Sequence, residues 1–172
     1  VRPARGGEAT ALAAVAAATF PMACPPSANA ADIEAAIAAN LSPQRFAAYL
    51  ADPDRVILVA TDDGRIVGYT MLIRGIGDDP DIAAAVPHGP AVEVSKMYVV
   101  ATHHSTGASA QLMRSGIEWA TDHGAAAMWL GVNRNNERAQ RFYRKTGFVV
   151  TGTRRFRLGQ SYEGDLVMVR PI

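Results

Sequence analysis

Apolar residues recur at helical spacing over Glu8–Phe20, Ala31–Ala39 and Pro43–Leu50, predicting three helices. The proline-rich stretch "FPMACPPSANA" separates the first two and reads as loop, and Val1–Pro3 reads as a short first strand. "RVILVATDDGRIVGYTMLI" reads as two strands joined at Asp63-Gly64, a hairpin signal because both residues tolerate positive φ. "GIGDDPDIAAAVPHGP" is expected to be a second loop. Strand patterning returns from Ala91 to Val99 or Val100, and a helix is predicted from about Gly107 to His123, ended by Gly124. A strand at Ala127–Val132, a helix at Asn136–Lys145 and strands at Phe148–Thr153 and Asp165–Arg170 complete the pattern. The order implies an α+β (mixed α/β) domain with a mixed sheet.

Composition narrows the classes. With 172 residues, 49% hydrophobic and 19% charged, the chain is expected to form one domain over 1–172. A net charge of +1 gives no reason to expect nucleic acid or an anionic membrane as partner. The lone Cys24 excludes an internal disulfide and points to the cytoplasm. "VRPARGGEATALAAVAAATFPMACPPS" superficially resembles a lipoprotein export signal, but Glu8 interrupts its basic start and Pro21-Met22 makes a poor processing site. No run approaches the roughly 18 apolar residues of a membrane span.

Between a predicted strand and a predicted helix lies "HHSTGASA". The backbone N–H groups of Ser105 to Ala110 are expected to be unpaired at the helix amino end, where hydrogen bonding and the helix dipole favour an anion. Gly107 allows close approach, and Ala108, Ser109 and Ala110 keep side chains short. Simple packing or capping would use the same residues.

The surrounding residues give the stretch its context. "MYV" followed by His104-Ser105-Thr106-Gly107-Ala108-Ser109 resembles the acetyl-CoA loop of the GNAT superfamily of N-acetyltransferases, Gln/Arg-x-x-Gly-x-Gly/Ala, with histidine and serine as departures. "NRNNERAQRFYRKTGF" resembles that family's Asn-x-x-Ala-x-x-Phe-Tyr-x-x-x-Gly-Phe segment, matching Asn136, Ala139, Phe142, Tyr143, Gly147 and Phe148. The resemblance, which begins with "VRPA" and covers nearly the whole chain, implies a twisted, mostly antiparallel sheet of six or seven strands flanked by helices. It also implies acetyl-CoA as co-substrate, its pyrophosphate on residues 104–110 and its pantetheine arm near Asn136.

Acetyl transfer to an amine needs a base, donors for an oxyanion and help for the departing thiolate. Tyr143 is the candidate acid, with a packing role beside Phe142 as the alternative. Glu93, a charge in the strand-like "AVEVSKMYV", is the candidate base; ion pairing with Lys96 or a nearby arginine is the alternative. By resemblance, a backbone N–H at Tyr98 or Val99 supplies the oxyanion donor, which requires a local break in strand pairing. His103 and His104 have no Cys, Asp or Glu at ligand spacing, so no metal is expected. Arg134, Arg138, Arg141, Arg144 and Lys145 read as an exposed helix face, from which one or two could reach a nucleotide phosphate.

"FRLGQSYEGDLVMVR" is similar to the end of PaiA-like bacterial polyamine acetyltransferases, and Asp78, Asp79 and Asp81 with Glu93 would suit a polyamine's spaced charges. A small amine or polyamine is the favoured acceptor. A protein lysine or amino terminus, or a coenzyme A-binding module without activity, are the alternatives, and a homodimer is a conceivable assembly.

Overall fold

The computed structural model describes residues 1–158 and 161–172, with side chains for 1–155 and 164–172. Its strands are β1 (Arg2–Pro3), β2 (Arg55–Asp62), β3 (Arg65–Arg74), β4 (Ala91–Val99), β5 (Ala127–Asn133), β6 (Val149–Leu158) and β7 (Ser161–Pro171). Its α-helices are α1 (Ala9–Ala23), α2 (Ala30–Asn40), α3 (Pro43–Ala51), α4 (Pro80–Ala85), α5 (Ala108–Asp122) and α6 (Glu137–Lys145). The strands form one sheet in the order β1-β2-β3-β4-β5-β7-β6. β4 and β5 run parallel, while β1–β2, β5–β7 and β6–β7 are antiparallel. This is the mixed α+β architecture that the element order implies.

The chain divides into two compact units, Val1–Leu72 with Lys96–Gly116, and Ile73–Ser95 with Ile117–Ile172. In the first unit, Leu58, Ala60, Val67 and Val99 bury against Ala108 and Leu112 of α5. Removing such side chains from water is the main stabilising term, roughly 1.5–3 kcal/mol for each large aliphatic. The hairpin turns at Asp63 (φ 46°) and Gly64 (φ 75°), as the sequence predicts. In the second unit, Ile82, Ala85 and Val86 cover Ala91, Ala127, Trp129, Val167 and Val169.

Three segments depart from the sequence reading. Helix α1 continues through Phe20 and Pro21 to Ala23, where a loop was expected. Pro21 stands in the last turn, where it removes one backbone bond from a run of alanines, the best helix formers. The expected second loop contains α4: the Asp79 side chain accepts from the Asp81 N–H at 2.9 Å, Pro80 begins the helix, and Ile82 and Ala85 are buried. The last two strands are much longer than predicted and pair from Val149–Val169 to Leu158–Ser161, with an irregularity between Val150 and Gly152. Part of the PaiA-like end pattern, residues 159–160 and the side chains of 156–163, lies outside the described residues.

Candidate active site

In the first unit, the chain leaves β4 at Val99, makes a short 3-10 turn at Ala101–His103 and enters α5. His103 N–H donates to the Val100 carbonyl at 2.9 Å, and Thr106 N–H to the His103 carbonyl at 3.3 Å. Thr106 therefore departs from the expected run of unpaired donors, because its amide closes a turn. His104 folds back, its Nε2 2.8 Å from the Val99 carbonyl oxygen. The neighbouring His103 lies 3.0 Å from Asp62 and 2.9 Å from Thr102 Oγ1.

Gly107 has φ +85°, a conformation L side chains rarely adopt, and a Cβ placed there meets nothing within 4 Å. The first backbone bond of α5 runs from Gln111 N–H to the Gly107 carbonyl at 3.0 Å. The amides of Ala108, Ser109 and Ala110 precede that bond and form the positive end of a 15-residue helix. Ala108 is buried in the core and anchors this end, whereas Ser105, Thr106, Gly107 and Ala110 are exposed. Open space above Gly107 and three amides at a helix start fit a pyrophosphate, so the residues present suit coenzyme A.

Tyr98 packs its ring 5.9 Å from Tyr69, which meets Phe46 edge-on. Val100 N–H donates to the Val67 carbonyl at 2.9 Å. Successive strand amides point to opposite edges, so the Val99 N–H faces away from β3.

In the second unit, the parallel ladder of β4 with β5 covers, among the described residues, Ala91–Ala127 to Glu93–Trp129, although β4 continues beyond it. Glu93 is half-buried and shares a sheet face with Trp129, whose indole N–H donates to the Gly75 carbonyl at 3.0 Å. Asn136 caps α6, its side-chain oxygen accepting from Ala139 N–H at 3.1 Å. That leaves its NH₂ group as the part able to serve a ligand. Tyr143 is half-buried between the rings of Phe142 and Phe148, at centroid distances of 5.4 and 5.9 Å. Burial pushes its phenol up to about 12, so it stays protonated at neutral pH.

The basic residues of α6 are partly engaged within their own helix: Arg141 pairs with Glu137 at 3.2 Å, and Arg144 donates to Gln140 at 3.3 Å. Asp79 is engaged as the α4 cap, while Asp78 and Asp81 are exposed. The sequence reading passed over Arg154 of β6, whose guanidinium lies against Gly131 of β5. No local pattern signals this pair, because β7 lies between β6 and β5 and the strand register brings the two residues together. Among the described residues no group of three His, Cys, Asp or Glu side chains is placed to hold a metal ion, and no helix is long and apolar enough to cross a membrane.

Comparison with known proteins places these features in context. The model of the Acetyltransferase (GNAT) family matches residues 23–148. The chain is 54% identical over 165 residues to an uncharacterised N-acetyltransferase of Mycobacterium tuberculosis, covering 96% of this chain and 98% of that protein. Among solved structures it is similar to the PaiA N-acetyltransferase of Thermoplasma acidophilum in complex with coenzyme A (TM-score 0.79, 18% identity, 99% and 97% of the two chains). A GCN5-related N-acetyltransferase of Rhodopseudomonas palustris is also similar (TM-score 0.74, 20% identity, 99% and 94% of the chains).

Proposed function

The chain belongs to the GNAT family of acetyltransferases, and on that footing we propose that it transfers the acetyl group of acetyl-CoA to the primary amine of a small molecule. The observation that carries the co-substrate is the amino end of α5, with the Ala108, Ser109 and Ala110 amides beside the open space at Gly107. His104, Ser105 and Thr106 shape that loop, and the Asn136 NH₂ group serves the pantetheine arm. The reading takes residues 1–172 as one catalytic domain, and the free thiol of Cys24 suits a reducing cytoplasm.

Glu93 takes a proton from the ammonium form of the substrate, so that the neutral nitrogen attacks the acetyl carbonyl, and the second N–H proton leaves to solvent as the amide forms. The Val99 N–H, facing away from β3, donates to the carbonyl oxygen as it gains charge, which favours Val99 over Tyr98 for this role. Tyr143 donates a hydrogen bond to sulfur as the C–S bond breaks and the electron pair stays on sulfur. Full transfer from a phenol at about 12 to a thiolate near the ordinary thiol value of about 8.5 is uphill by roughly 5 kcal/mol. Tyr143 therefore acts by donating the hydrogen bond, and solvent supplies the proton that completes the free thiol. The products are one amide and one free coenzyme A.

A thiol-release assay with acetyl-CoA over panels of small amines, polyamines and peptides tests the reading. Turnover of small amines supports it; a preference for peptide amino termini or lysines would replace the acceptor while leaving the transfer chemistry.

A further inference from the structure

The β5–β7–β6 part of the second unit carries a charged group that the chemistry above does not use. In register, Trp129 pairs with Val169, Gly131 with Val167, and both Asn133 and Arg154 with Asp165, so these side chains share one sheet face. Glu93 pairs with Trp129 and lies on that same face. Helix α4 covers one end of it, with Ala85 so close to Gly152 that a Cβ there would lie 2.7 Å from the Ala85 methyl.

Beyond that cover, Arg154 reaches back from β6 across β7 to β5. A Cβ on Gly131 would collide with Arg154 Nη2, so the glycine is what leaves room for the guanidinium. The Arg154 Cζ lies 5.8 Å from the centroid of the Trp129 ring. Among the described residues its ionic contact is a single one, Nη2 to Asp165 Oδ2 at a long 3.5 Å, and its Nε is buried with no hydrogen-bond partner there. A guanidinium offers five donors, so an 80% buried one with one long ionic contact among the described residues retains capacity for an acceptor of its planar shape.

We propose that Arg154 is a specificity-determining residue that receives a carboxylate on the acetyl acceptor, so that the substrate is a small amine that also carries a carboxylate. The proposal rests on the reading of Glu93 as the base: Trp129 neighbours Glu93 in the ladder and lies beneath the Arg154 guanidinium, so amine and carboxylate would bind along one face. A monoanion suits the site better than a phosphate dianion, which the nearby Asp165 would repel. The same guanidinium repels a polyamine.

The test measures kcat/KM with acetyl-CoA for L-amino acids, their carboxamides and spermidine. Wild type is expected to prefer the free carboxylate over the carboxamide by at least tenfold. Arg154→Gln should abolish that preference through KM for the acceptor, with kcat changing much less, and Arg154→Lys should recover part of it. Gly131→Ala is a second probe, because its methyl displaces the flexible end of Arg154 rather than backbone, and it should also lose the preference. Faster turnover of carboxamides or spermidine, no turnover of any carboxylated amine, or an unchanged preference in Arg154→Gln would overturn the proposal. Failure of the parent reading looks different: Glu93→Gln would turn over the panel like wild type while the Arg154 effect stayed measurable.

Discussion

The His104 imidazole donates from Nε2 to the Val99 carbonyl at 2.8 Å, tying the loop before α5 to the last residue of β4. A carbonyl only accepts, so the bond requires the proton on Nε2. The contact orients both the loop main chain and the residue whose amide is proposed to face the developing oxyanion. Loss of one such bond is worth about 0.5–1.5 kcal/mol, or roughly two- to tenfold. His104→Ala is expected to raise the KM for acetyl-CoA by that factor and to lower kcat. Steady-state kinetics showing neither change would mean that the loop keeps its shape without the histidine.

Ser109→Asp separates cofactor binding from stability, because its two effects have opposite signs. A carboxylate in the first turn of α5 interacts favourably with the helix dipole, so the melting temperature should hold or rise. The same charge opposes a pyrophosphate at the Ala108–Ala110 amides, so acetyl-CoA affinity by calorimetry should fall by at least about tenfold. Unchanged affinity would place the pyrophosphate elsewhere.

Where local chemistry decides the structure, the sequence was readable. Asp63-Gly64 forms the hairpin turn as its residue types suggest, and the helix expected from Asn136 begins at Glu137 with Asn136 as its cap. Helix α4 was missed because the acidic and proline residues of "DDPDIAAA" look like loop, although Asp79 as cap and Pro80 at the first position are also a helix start. What decided it was burial of Ile82 and Ala85 against Trp129 and Val167, a tertiary event. The same limit applied at the site. Tyr143 and Gly107 stand in recognisable motifs, but the fold-back of His104 onto Val99 and the meeting of Arg154 with Gly131 depend on chain reversal and strand register.

Tyr143→Phe keeps the ring between Phe142 and Phe148 and removes the hydroxyl. Turnover is expected to fall by about 10²-fold with little change in acetyl-CoA affinity. Burial raises the phenol to about 12, so its donor persists as pH rises through 10 and is lost only near 12. Any alkaline limb of the wild-type pH–rate profile below about 11 should therefore remain in Tyr143→Phe. Its disappearance would assign that limb to Tyr143 and contradict the raised value.

Glu8 predicts an acid-stability effect remote from the chemistry. Hydrogen bonds from Arg2, at 2.6 and 2.9 Å, and from the Arg5 amide at 2.7 Å hold its carboxyl down at about 2. A depressed folded-state value means that the contribution is present above the ordinary carboxylate range and is lost as pH falls toward 2. Glu8→Gln should lower the denaturation midpoint near neutrality and converge with wild type at the acid end. Parallel curves over the whole range would show that the pair contributes nothing to stability.

Proton abstraction by Glu93 during acetyl transfer is the central claim, and the most direct measurement follows thiol release and N-acetylated product together. It compares wild type with Glu93→Gln across pH on one accepted amine. The account predicts one amide per thiol in the wild type. In the variant, kcat/KM should be strongly depressed near neutrality and recover as pH rises and the amine deprotonates without help. Thiol release without amide, or a Glu93→Gln profile that overlays wild type at every pH, would contradict it.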